Sequence, residues 1–213
     1  MLTYTCIFGI VLFGTVALPG RVLGQPSHFP ENITTCEDFE LGSRFNPYAV
    51  VDSVWRIFYF WSNTTELYPI IFSLAAKNRV QKFRDIFETT NPGLGVEWEK
   101  ATLMMEPRPG IEVMFLYAGQ PGAFRAIVKQ EQRNKVRPYP EPLIKFADVR
   151  MKLVSRFLGM MCCEDLTAFA MVRIDELPKT EEMCEKAAST IGYHGHKGRS
   201  YLSITKNRKE EDL

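Results

Sequence analysis

Histidine is scarce. Three occur in 213 residues, and none sits in a recognisable nucleophile motif with a serine or cysteine, so a nucleophile–base triad has no visible support. His194-Gly195-His196 is the nearest thing to half a metal site. A spacing of two with no adjacent carboxylate or thiol is a poor zinc pattern, so no metal or other cofactor is expected. An excess of charge is missing too, as Lys+Arg number 26 against 25 Asp+Glu. That argues against nucleic acid or an anionic membrane as partner, since both need a concentrated positive field. No run spans a bilayer: Cys6–Leu18 is apolar but too short, and nothing later is apolar enough, so no transmembrane anchor is expected. Strand–helix alternation and internal repeats are also absent, which sets aside a parallel α/β sheet and a solenoid.

The short apolar run does fit a signal peptide over residues 1–24, with Val22-Leu23-Gly24 before Gln25. Its removal takes away Arg21 and no acid, leaving 25 basic against 25 acidic side chains in about 190 residues, enough for one domain with a substantial core. Secretion makes the remaining cysteines, Cys36, Cys162, Cys163 and Cys184, candidates for two disulfides. Neighbours on a strand face opposite sides, so Cys162 and Cys163 are expected to reach separate partners, one Cys36 and the other Cys184. Which takes which stays open, and a vicinal Cys162–Cys163 bond is the alternative. The sequons at Asn32 and Asn63 fit the same compartment as glycosylation sites.

The chain is organised around Asn46–Trp61, a turn-forming lead followed by β-branched and aromatic residues that favour a strand. Strict alternation puts Trp55, Ile57, Tyr59 and Trp61 on one face and Val54, Arg56, Phe58 and Phe60 on the other. Rings on both faces imply that both are covered, one by an interior and the other by later chain. Further strands are expected at 68–74, 80–87 (where Val80, Phe83 and Phe87 also suit a helix), 96–105, 111–117 and 123–129. Residues 143–157 fit either helix or strand, and strand is preferred beside so many others. A hairpin over 158–163 and 167–174 and a helix over 180–191 complete the pattern. Short strands punctuated by Gly/Pro turns, such as Asn91–Gly95 and Gly119–Gly122, indicate an antiparallel meander, hence an all-β sandwich or barrel. The expected organisation is a signal peptide (1–24), an N-terminal arm (25–44), the β domain with its helix (45–205) and a charged tail (206–213).

Two short motifs resemble the lipocalin family. Ser53-Val54-Trp55 behind Asn46-Pro47-Tyr48 is similar to the Gly-X-Trp that opens the family's first strand, with serine in place of glycine. Ala170–Ile174, then Pro178 and the 180–191 helix, is similar to the arginine-terminated last strand and its following helix. The family's middle Thr-Asp-Tyr motif is not recognisable. The resemblance covers roughly residues 36–195 and is nearest to divergent, arthropod-type extracellular members. It implies an eight-stranded up-and-down barrel with one C-terminal helix, in which Arg173 lies across Trp55 at the closed end. It also implies a cavity for one small apolar ligand such as a pigment, retinoid or fatty acid. Ile57, Tyr59, Trp61, Trp98, Val113, Phe115, Tyr117, Phe124 and Ala126 are expected to line it, although a one-residue slip in any strand would exchange its faces. The expected function is therefore a secreted, non-enzymatic carrier. The alternatives are a secreted immune or protease modulator that uses the barrel as scaffold, and a lipocalin-type isomerase.

Overall fold

A computed structural model describes residues 33–63, 67–131 and 142–211. The 1–24 segment and residues 25–32 of the arm, Asn32 among them, lie outside these residues, while Asn63 is exposed just after the first strand.

Eight antiparallel strands form a closed up-and-down barrel: β1 (Val54–Trp61), β2 (Ile70–Leu74), β3 (Ala101–Arg108), β4 (Ile111–Tyr117), β5 (Ala123–Gln130), β6 (Leu143–Val154), β7 (Phe157–Cys162) and β8 (Thr167–Arg173). Each pairs with the next, β8 returns to β1, and β1 closes the ring on β2. The ambiguous 143–157 stretch is strand, as preferred. It forms the long β6, whose first half pairs with β5 and whose second half pairs with β7.

Alternation produces two buried surfaces on these strands. Inward rows run across the sheet, such as Phe72–Met105–Val113–Val128 and Leu103–Phe115–Ala126–Ala147. The outward row Met104–Met114–Ile127 is apolar as well, and a helix covers it. That helix is α2 (Lys77–Thr90), which replaces the strand expected over 80–87. The spacing of Val80, Phe83 and Phe87 serves a helix that buries one stripe. Phe83 and Phe87 are fully buried against the outward row, and the exposed side carries the Arg84–Glu88 ion pair at 2.7 Å.

A second outer flank is covered from both chain ends. Helix α1 (Cys36–Glu40) is held by a capping box in which Thr35 and Asp38 satisfy each other's backbone N–H groups. Helix α3 (Glu181–Ser189) starts at Thr180, whose hydroxyl accepts from the Met183 N–H at 3.2 Å. Together with Ile191 and Tyr193 they pack on the outward Phe58, Trp61, Met161, Ala168, Ala170 and Val172. A disulfide joins Cys36 to Cys163 with 5.7 Å between the Cα atoms.

One expected bridge is not there. Cys184 is a free, buried thiol, because α3 turns it against the outer wall. Cys162 faces the barrel interior on the opposite side of that wall and is disulfide-bonded, so neither adjacent cysteine pairs with Cys184. Opposite facing of the two neighbours holds, and the vicinal bond is excluded because Cys163 is taken by Cys36.

The C-terminal segment adds two elements beyond the expected pattern. A two-residue strand β9 (Arg199–Ser200) pairs with β1 at Tyr59 and Phe60. Helix α4 (Tyr201–Glu211) follows, so residues 206–211 of the charged tail are helical. Ser200 begins the helix by accepting the N–H groups of Leu202 and Ser203 at 3.1 and 3.0 Å. The approach of β9 needs Gly198, where a Cβ would collide with the Tyr59 ring.

Candidate functional site

The barrel interior is the surface on which these strands converge. Trp55 is completely buried at one end and donates its indole N–H to the Val50 carbonyl at 2.8 Å. Val50 follows the 3₁₀ turn Pro47–Ala49, where the Asn46 side chain accepts the Tyr48 N–H at 3.0 Å. The guanidinium of Arg173 lies 5.3 Å from the Trp55 ring, and its Nε donates to the Ser53 hydroxyl at 3.3 Å. Serine at the motif's glycine position thus supplies a hydrogen bond to the stacked arginine. Phe45 meets Phe124 edge-on at 5.6 Å, and with Val50 it fills this end of the barrel.

Of the expected lining set, Ile57, Val113, Phe115, Phe124 and Ala126 belong to the interior cluster. Tyr117 shares the inward face through its pairing with Phe124, but it ends β4 and is 40 % exposed. Three residues lie outside the wall. Tyr59 and Trp61 are displaced by a β-bulge: Ile57 opposes Met171, but Tyr59 opposes Ala170, so one extra residue is accommodated at Phe58. The bulge reverses the parity of the rest of β1. Phe60, not Tyr59, therefore points inward, and Trp61 stacks with Tyr193 on the outer flank at 5.0 Å. Trp98 lies in a 3₁₀ turn before β3 and packs edge-on against Phe87 of α2 at 5.4 Å.

Sequence reasoning missed much of the interior that does form. Phe60, Phe169, Met160 and Met151 make one cross-strand row, and Met171 and Met105 stand on other inward rows. Their signal was the inward parity of β6–β8, which needed a register to read. Phenylalanine and methionine dominate this surface, and methionine's three flexible torsions let it repack around different shapes.

The end opposite Trp55 is more polar. Gln130 opposes Ile111, and Thr167 opposes Cys162, so both share the inward face with an interior residue. Nearby, Glu164 accepts the Asp148 N–H, and burial pushes its carboxyl above the usual range. Outside the wall, Glu112 is held by Arg79 at 3.1 Å and by Lys129. Burial alone would raise the Glu112 carboxyl, but those two cations outweigh it and hold it below the usual range.

Among the described residues no reactive constellation sits inside the wall. The free Cys184 thiol is outside it, pushed up to about 11 by burial and by Glu181 and Glu185. The His194 carbonyl accepts the Thr34 N–H and the His194 N–H donates to the Thr34 hydroxyl, both at 2.8 Å, which ties the arm to the C-terminal region, and the His196 ring lies 3.3 Å from the Asp165 carbonyl. Among the described residues no group of three or more His, Cys, Asp or Glu could hold a metal ion, and no helix is long and apolar enough to cross a membrane. The chain matches no family model, no curated protein and no solved structure.

Proposed function

We propose that this chain is a secreted, lipocalin-like carrier that holds a small apolar molecule inside its barrel. The observation that carries this reading is the closed eight-stranded wall whose inward face is a continuous surface of phenylalanine, methionine and branched aliphatic side chains. A barrel of this strand number is wide enough to be filled by its own side chains or to hold one small ligand, and the carrier reading takes the second. Apolar burial at about 25 cal/mol per Å² would supply most of the affinity, with polar groups at the rim orienting the ligand. Secretion is supported by the apolar N-terminal run and by the Cys36–Cys163 disulfide. The Arg173–Trp55 stack supports the lipocalin likeness.

The test is titration of purified protein with retinoid, fatty acid and tetrapyrrole probes while tryptophan emission is followed. Trp55 lies in the interior cluster and serves as reporter. A saturable response to at least one class is expected, and no response to any class overturns the carrier reading.

A second reading is favoured by the outer surface. Leu41 and Tyr48 are 77 % and 71 % exposed, and Tyr68 and Ile71 border an open cleft of about 570 Å³ beside the β3–β4 hairpin. Such side chains suit a modulator that uses the barrel as a rigid scaffold for protein recognition.

A further inference from the structure

The inward row Phe72–Met105–Val113–Val128 does not end on an apolar residue. Its next member, opposite Val128 on β6, is Lys145. Directly opposed residues share a face of the sheet, so Lys145 belongs to the inward surface at the polar end of the barrel. Gln130 lies on the same face one alternation further along β5, opposite Leu143 and Ile111. Its side-chain Oε1 is buried and has no hydrogen-bond partner, an arrangement that costs about 1–3 kcal/mol unless something donates to it.

The contrast with other cations on these strands is informative. Lys129 of β5 shares Glu112 with Arg79 of α2, and Arg150 of β6 meets Glu40 at 2.6 Å, all on the outer side. Lys145 is partly buried and has no carboxylate partner among the described residues. An inward ammonium on the same face as an unsatisfied amide is therefore half of a charge-assisted site at the polar end of the apolar interior.

Resting on the carrier reading, we propose that Lys145 and Gln130 form a head-group subsite and that the ligand is an amphiphile with an apolar body and one carboxylate. The ammonium donates to the carboxylate. As it is drawn inward, a second ammonium N–H satisfies the Gln130 Oε1, and the amide N–H groups remain for the other carboxylate oxygen. One ammonium matches the single negative charge of a carboxylate.

The experiment compares hexadecanoic acid with hexadecanol, which share an apolar body, on the full-length secreted protein. Titrations use tryptophan emission at low and high salt. The acid is expected to bind at least about tenfold more tightly than the alcohol, in line with a charge-assisted hydrogen bond. Salt should weaken only the acid. Lys145→Met should remove the preference while leaving the alcohol's affinity unchanged, and that unchanged affinity certifies a folded barrel. Lys145→Arg, which keeps the charge, should retain most of the preference and serves if the methionine variant misfolds. Equal binding of acid and alcohol by the native protein overturns the subsite and leaves the carrier reading standing. Acid preference that survives Lys145→Met also overturns it. Binding of neither compound or any other apolar probe overturns the carrier reading and the subsite together.

Discussion

Replacing Trp55 by alanine should damage the fold before it damages any ligand contact. Truncating a buried tryptophan costs about 3–5 kcal/mol through lost burial and the cavity left behind. The indole N–H bond to Val50 at 2.8 Å is lost as well, leaving that carbonyl without its side-chain donor at a cost of about 1–3 kcal/mol. The Arg173 guanidinium loses the ring beneath it, worth about 0.5–2 kcal/mol. These contributions overlap because the groups touch, so about 4–6 kcal/mol is expected for the whole. Domains of this kind hold only about 5–15 kcal/mol in total. Trp55→Phe separates the parts: it keeps an aromatic ring under Arg173 and deletes the N–H, for about 1–2 kcal/mol. Urea unfolding followed by the emission of Trp61 and Trp98 gives both values by linear extrapolation. A loss below about 1 kcal/mol for Trp55→Ala would refute the assignment of this residue as the closure of the barrel. So would secretion of that variant at normal yield with only ligand binding impaired.

The Cys184 thiol should be nearly inert to alkylation in the folded protein at pH 7–8, because it is buried and ionises only near pH 11. Mass spectrometry after a pulse of iodoacetamide should show it labelled only when urea is present, and rapid native labelling would place α3 elsewhere. Stability should fall in acid partly through Glu112. Its folded-state carboxyl lies below the unfolded value of about 4.3, so the contribution is present above that pH and lost as pH falls through the folded value. Urea midpoints measured from pH 7 to pH 3 should decline less steeply for Glu112→Gln than for the native chain, and parallel slopes would count against the Arg79–Glu112–Lys129 arrangement.

The sequence carried the meander legibly because Gly/Pro turns and alternating strands are local signals. Ile111–Tyr117 was read with its bounds intact, and Ala123–Gln130 to within a residue. The Trp55–Arg173 contact was also legible, through a likeness between two short motifs far apart in the chain. What failed was decided by tertiary structure. Residues 80–87 satisfy both periodicities, and only the outward row Met104–Met114–Ile127 beneath them selects a helix. The bulge at Phe58 has no local signature in a run of aromatics, yet it exchanged Tyr59 for Phe60 in the interior. Pairing Cys184 by elimination failed because the direction of a helical side chain depends on how α3 docks. Lys145 was hidden because its face follows from the register of four preceding strands.

The join between β1 and β2 sets an order on the making of this protein. Only Val54 and Trp55 of β1 pair with β2, whereas Tyr59 and Phe60 pair along that edge with Arg199 and Ser200. Ile204, just beyond, is 4 % exposed and belongs to the interior cluster. The first strand synthesised therefore waits for residues that leave the ribosome after every other barrel strand. Until they arrive, an aromatic edge with free N–H and C=O groups stays open to pairing with another chain. In the cell, residues 199–204 set the moment at which the nascent barrel stops being a hazard to its neighbours.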